Sequence, residues 1–198
     1  MEGLQNEKVK LEIRFHSDDF LNSLPNELKD NYRFQNYGLD DQFIIELTQQ
    51  QLYSSYISVY AFFEGRLNVL CTKLEKLLSP SITLNDLNSR NYVIQYMTFL
   101  DKVIEVSNLP IKREMKKIGV FGTLRNKLAH QNGVISIGEK QGLQGSEIPE
   151  SVFFVHGDKW LINLCEFDIQ KELIQYLKQL LLDTATSVDE TIKSKYRT

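Results

Sequence analysis

The chain has 198 residues, 42% of them hydrophobic and 25% charged, with a net charge of −3. That is the balance of a soluble globular protein long enough for one domain around a sizeable core. The acidic balance argues against a surface coated in positive charge for duplex binding, and no apolar run is long enough to cross a bilayer.

Residues 1–7 show no basic region followed by an apolar one, so no signal peptide is expected. Glu2 stands where myristoylation needs glycine. The expected location is the cytoplasm. Cys71 and Cys165 lie far apart, each in an apolar pattern, and read as reduced core residues rather than as a disulfide. With two cysteines and three histidines, no zinc site and no other metal or cofactor is expected.

Residues 8–16 alternate between polar Lys8, Lys10, Glu12, Arg14 and His16 and apolar Val9, Leu11, Ile13 and Phe15. The period of two predicts a half-buried strand. A short helix competes, because Glu, Lys and Leu are good helix formers. Residues 25–41 are polar and rich in Asn and Tyr, which predicts a loop with a helical turn and makes residues 1–40 an N-terminal extension. From Asp41 the apolar positions Phe43, Leu47, Tyr53, Ile57, Tyr60, Phe63, Leu67, Leu70, Leu74 and Leu77 recur at helical spacing. Asp40 or Asp41 caps this segment and Ser79-Pro80 ends it. It is one long helix, or two with a break near residues 49–54.

A second helix is predicted over residues 84–106, capped by Thr83 or Asn85. A third covers residues 112–131, with Pro110 near its start and Asn132-Gly133 as its stop. Residues 133–150 hold four glycines and few large apolar groups, and predict a mobile loop. Val152-Phe153-Phe154-Val155 and Trp160-Leu161-Ile162-Asn163-Leu164 flank His156-Gly157-Asp158-Lys159, the signature of a hairpin within residues 151–166. Residues 167–192 form a last helix, with Leu173, Leu177 and Leu180 on one side, and residues 193–198 a frayed tail. The predicted fold is mainly α: a helical bundle with a small β-hairpin or sheet appendage, in a single domain over residues 1–198 whose core helices occupy residues 41–131.

The run that carries chemistry is Leu124-Arg125-Asn126-Lys127-Leu128-Ala129-His130, at the end of the third predicted helix. At about 100° per residue, Ile118, Val120, Phe121, Leu124 and Leu128 form an apolar arc. Asn126 and His130 fall nearly opposite its centre, and Arg125 sits at its edge. Gly122 and Ala129 lie between Arg125 and Asn126, where their small size lets another backbone approach. His130 is then off the core face. It belongs either to a solvent-facing helix end, where histidine suits the negative end of the dipole, or to a functional or partner face.

Lys116, Lys117 and Lys127, with Lys112 and Arg113 beside them, are a solvated helix face or an RNA-binding surface. Glu64, in the apolar stretch Tyr60-Ala61-Phe62-Phe63-Glu64, needs a partner. That partner is a structural ion pair or hydrogen bond, or else Arg125, which Glu64 would hold in place. Trp160 reads as hairpin core rather than as a base-stacking platform. Tyr92 and Tyr96 pack, or line a groove for unstacked bases. His16 and His156 read as incidental.

These residue types suit metal-free RNA cleavage. There the ribose 2′-OH attacks the phosphate, a base takes its proton, an acid protonates the leaving 5′-oxygen, and a cation stabilises the pentavalent phosphate. Histidine serves the proton steps because it titrates near neutrality. Arginine serves the phosphate because its planar fork stays charged and grips two oxygens. Asn126 orients the phosphate or the imidazole.

Arg125-Asn126-Lys127-Leu128-Ala129-His130 fits the Arg, polar residue, spacer, His motif of the HEPN superfamily. On that motif, on the helix bearing Phe63-Glu64 and on the helical order over residues 41–190, the chain resembles this superfamily of helical domains, often found in prokaryotic ribonuclease toxins and antiviral systems. The resemblance implies a HEPN-like bundle with Arg125, Asn126 and His130 as catalytic residues and Glu64 in support. One helix offers a single His and a single Arg, which is thin for two proton transfers. HEPN ribonucleases generally dimerise, so that two motifs face one another in a shared cleft.

The resemblance therefore implies a metal-independent endoribonuclease, a toxin or antiviral defence effector. Its substrate would be RNA, its composite site would lie at a homodimer interface, and an antitoxin protein would be a further partner. The strand-like N-terminus and the hairpin depart from the family pattern. The alternative is a non-catalytic HEPN-like module that binds RNA or a partner protein. Nucleotide transfer ranks below both, since the chain lacks a P-loop and paired catalytic carboxylates.

Overall fold

Leu11 and Phe15, four residues apart, are buried, while Val9 and Ile13 are exposed. That is the burial of one helix face. In the computed structural model of the chain, α1 spans Glu2–His16, so the strand expected over residues 8–16 is a helix instead. Residues 11 and 15 satisfy a period of two and a helical spacing alike, and the Glu, Lys, Leu and Arg content decides between them. The structure describes residues 2–89, 91–144, 152–164 and 167–196.

The chain divides into two compact units, 1–54 and 55–198. In the first, α2 (Asp19–Ser23) starts on Asp18, whose carboxylate accepts the Leu21 N–H at 3.0 Å. α3 (Asn26–Leu78) follows directly after Pro25 and runs without interruption past residues 49–54. The loop expected over residues 25–41 is therefore helical. Its tyrosines are used rather than solvated. The Tyr37 and Tyr32 hydroxyls donate to Asp18 Oδ2 at 2.5 and 3.3 Å. The Tyr37 ring meets Phe15 edge-on with centroids 4.6 Å apart, and the Arg33 guanidinium lies 4.2 Å over Phe15. The Tyr37 hydrogen bond, with the Leu21 N–H behind it, holds the Asp18 carboxyl below its ordinary range.

In the second unit the helix expected over residues 84–106 is broken into shorter pieces. Leu84–Asp86 is a 3₁₀ turn, closed by the Asp86 carboxylate, which accepts from the Thr83 N–H and hydroxyl, both at 2.7 Å. α4 (Tyr92–Thr98) starts on Asn91, whose Oδ1 accepts the N–H groups of Val93 and Ile94 at 3.0 and 3.3 Å. A π turn over Phe99–Val103 follows, and Glu105 and Asn108 then turn the chain at φ 55° and 54°.

α5 (Ile111–Gln131) ends as its sequence predicts. Asn132 is left-handed at φ 49°, Gly133 has φ 74°, and the Gly133 N–H donates to the Lys127 carbonyl at 3.1 Å. Buried Phe63, Leu67 and Cys71 of α3, Val93 and Met97 of α4, and Ile118, Leu124 and Leu128 of α5 belong to the core of this unit. The Tyr56 hydroxyl ties α3 to α5 through the Phe121 carbonyl at 3.1 Å. Burial pushes the Cys71 thiol up to about 12, and Cys165 lies outside the described residues.

The loop expected over residues 133–150 is structured as far as residue 144. β1 (Val134–Ile135) leads into α6 (Ile137–Gln144), and residues 145–150 lie outside the described part. α6 has a reciprocal cap. The Ser136 N–H donates to Glu139 Oε2 at 2.8 Å, and the Glu139 N–H donates to Ser136 Oγ at 3.3 Å. The hairpin is present as expected: β2 (Phe153–His156) and β3 (Lys159–Ile162) pair antiparallel, with Gly157 in the turn at φ 63°. β1 joins the other edge of β3, giving the sheet order β1-β3-β2.

α7 (Phe167–Tyr196) continues beyond residue 192, where a frayed tail was expected; residues 197 and 198 lie outside the described part. Its buried face carries Leu173, Leu177, Leu180 and Val188, and its Tyr176 hydroxyl donates to Glu114 of α5 at 2.6 Å. Among the described residues no helix is long and apolar enough to cross a membrane.

Candidate functional site

Arg125 and Asn126 lie three and four residues beyond Gly122 on α5, so all three share one patch of helix surface. Helical side chains lean toward the preceding turn, which carries the Arg125 side chain over Gly122. Its Nη1 donates to Asn126 Oδ1 at 2.8 Å. Its Nε is buried and has no hydrogen-bond partner among the described residues. The guanidinium is thus half-buried and oriented, with donors left over.

What lies beneath explains the glycine. A Cβ on Gly122 would stand 2.6 Å from Asn91 Nδ2 and 2.8 Å from the Tyr60 hydroxyl oxygen. The absent side chain lets two groups of this same chain reach α5. That corrects the expectation that Gly122 opens a face to another backbone: its space is filled from within, and Gly122 is buried. Ala129 does remain exposed. The orientation of the Asn91 amide is fixed by its cap, because Oδ1 must face the Val93 and Ile94 N–H groups, which turns Nδ2 toward α5.

Tyr60 is only 2% exposed, and its hydroxyl makes no well-formed hydrogen bond among the described residues. Burial pushes its phenol up to about 12, opposed by the Asn91 amide beside it and, more weakly, by Arg125. It therefore keeps its proton at neutral pH. Two buried donors, the Tyr60 hydroxyl and Arg125 Nε, lack an acceptor among the described residues; a buried donor left without one costs about 1–3 kcal/mol.

Asn126 and His130 are exposed one turn apart on the same face of α5. Glu64 is half-buried and forms no ion pair with Arg125 among the described residues; its charge acts instead on the Tyr60 and Tyr96 phenols, raising both. Burial is the larger cause in each. Of the three lysines, Lys116 is exposed. Lys117 is half-buried, with its ammonium 4.5 Å over the Tyr176 ring. Lys127 pairs with Glu139 and donates to Gln131 at 3.1 Å. That pairing, first, and the Ser136 N–H, second, push the Glu139 carboxyl down to about 2. The side chains of Lys112, Arg113 and His156 lie outside the described part.

Trp160 is half-buried, with the Lys140 ammonium 3.5 Å over its ring. Tyr92 is exposed and Tyr96 half-buried. His16 bonds its own helix through Nδ1 and the Glu12 carbonyl at 2.7 Å. Among the described residues no three His, Cys, Asp or Glu side chains gather as a metal site.

Sequence reasoning missed Asn91 and the Ser136–Glu139 cap. The first had a local signal, an Asn directly before a helical apolar pattern. The second had the Ser-x-x-Glu spacing of a capping box. No family model, no curated protein and no solved structure matches the chain.

Proposed function

We propose that this protein is a metal-independent endoribonuclease with a HEPN-like bundle, in which Arg125 grips the scissile phosphate and His130 carries a proton. One observation bears most of this reading: a guanidinium held by Asn126, with its Nε buried and unpaired, beside a helix face from which His130 projects into solvent. Burial of Nε and the bond to Asn126 fix the guanidinium in place, so its remaining terminal N–H groups are aimed before an anion arrives. The end of α5 carries the negative pole of the helix and repels a phosphate. The attraction must therefore come from a side chain. Within two turns of His130 the cations of α5 are Arg125 and Lys127, and Lys127 is already paired with Glu139, so the charge there falls to Arg125.

A single imidazole serves one of the two proton transfers. In this reading a second copy of the chain supplies the other, as a toxin or defence effector held in check by a partner protein. Incubation of the purified protein with single-stranded RNA in EDTA tests the reading. Cleavage should persist with chelator and fall at least about 100-fold in His130→Ala, the usual contribution of a positioned acid or base. Arg125→Lys should fall comparably, because an ammonium keeps the charge without the fork. Mixing His130→Ala with Arg125→Ala chains should restore part of the activity if two chains build one site. Equal cleavage by wild type and His130→Ala, or none by wild type, refutes the reading.

A further inference from the structure

We propose that the cavity between the start of α6 and the three-stranded sheet is a subsite for one unpaired base of an RNA strand whose phosphate lies at Arg125 and His130. The identity of the ligand as RNA rests on the nuclease reading; the fit to a flat heterocycle does not.

The cavity is an open one of about 530 Å³, within the size range of pockets that take small organic ligands. Gln131 forms part of its wall and follows His130 directly, so the cavity begins one residue from the exposed imidazole. Its apolar residues are Val134, Ile135, Ile137 and Trp160. Ile137 is 64% exposed, an apolar side chain that a bound ring would cover. The indole is a prepared platform. Lys140 is only 8% exposed and holds its ammonium 3.5 Å from the ring centre. Trp160 lines the cavity and Lys140 does not. A ring fixed before binding loses little entropy when a base stacks on it.

The polar groups suit the edge of a base. Gln131 uses its carbonyl oxygen to accept from Lys127, which leaves its amide N–H groups as donors. Asp158 accepts and Lys159 donates. A bare phosphate would meet the Asp158 carboxylate, and a purely apolar ligand would bury three polar groups without partners. A heterocycle with donors and acceptors on its rim answers both demands.

Trp160 is the only tryptophan in the chain, so all of its indole emission comes from a residue that lines this cavity. The full-length protein is titrated with 2′-O-methyl hexaadenylate, which has no free 2′-OH and resists cleavage, and with an abasic strand of equal length and charge. The base-bearing strand should quench the emission saturably, by about half or more, and the abasic strand should leave it unchanged. Ile137→Asp places a carboxylate on the cavity wall in the first turn of α6, where the helix dipole tolerates it. It should weaken binding of the base-bearing strand about tenfold. Absent quenching, equal quenching by the abasic strand, or unchanged affinity in Ile137→Asp overturns the subsite. Quenching without cleavage of unmodified RNA would keep the subsite and overturn the nuclease reading, while cleavage without quenching would do the reverse.

Discussion

Gly122→Ala should destabilise the unit of residues 55–198, although Ala is the better helix former. The gain from propensity is about 1 kcal/mol. Against it stands a Cβ at 2.6 Å from Asn91 Nδ2 and 2.8 Å from the Tyr60 hydroxyl oxygen. Asn91 cannot withdraw without loosening the cap bonds at 3.0 and 3.3 Å that start α4, a cap that contributes about 1 kcal/mol. Tyr60, 2% exposed, cannot withdraw without moving core neighbours, and overpacking of that kind costs about 1–3 kcal/mol. The balance is a net loss of about 1–3 kcal/mol.

Gly119 supplies the internal control. It lies three residues earlier on α5, and a Cβ there meets nothing within 4 Å. Gly119→Ala should therefore gain up to about 1 kcal/mol from the same propensity term. Urea unfolding followed by Trp160 emission measures both variants on the unit that contains them. Tyr60→Phe in the Gly122→Ala background should recover about 1 kcal/mol, because the remaining ring carbon would stand at an ordinary 3.5 Å. Equal stability of Gly119→Ala and Gly122→Ala would mean that Tyr60 and Asn91 do not press on α5, and the account of the site's underside would fail.

Two further outcomes follow from the same contacts. Asn91→Ala should lose about 1 kcal/mol in urea unfolding, and Asn91→Asp should keep most of it, since a carboxylate caps as well as an amide; equal losses would show that the cap is not what Asn91 contributes. Glu139, pushed down to about 2 from an ordinary 4.5, contributes stability that is fully present above the ordinary value and is lost as the pH falls toward 2. The advantage of wild type over Glu139→Gln should be largest near neutrality and shrink through that window in acid unfolding, and a difference constant with pH would count against the Lys127 pairing.

The elements that were legible are those with local signals at both ends. Pro110 and Asn132-Gly133 bracket α5, and Gly157-Asp158 marks the hairpin turn. The misread segments each hid behind a second pattern. Residues 9, 11, 13 and 15 are all apolar, so alternation and helical spacing coincide, and only burial of Leu11 and Phe15 separates them. The first turns of α3 show no apolar stripe because their contact with Asp18 runs through tyrosine hydroxyls. α6 carries Gly138 and Gly142, each costing about 1 kcal/mol in a helix, and a Cβ at either would meet open space. There the glycines suggested a loop, and the Ser136–Glu139 cap together with the burial of Lys140 and Leu143 offset them.

The motif itself was readable because Arg125, Asn126 and His130 sit within two turns of one helix, where spacing alone fixes their neighbours. What lies under it was not readable, since Tyr60 and Asn91 come from distant positions and leave only an absent Cβ as their trace in α5. A missing side chain looks the same whether a second chain or this one fills the gap. The structure separates the two cases at Gly122, and the consequence is directional. If two copies build one nuclease site, they cannot meet through Gly122, which is occupied from below by Tyr60 and Asn91. They must meet over the exposed surface of Asn126, Ala129 and His130.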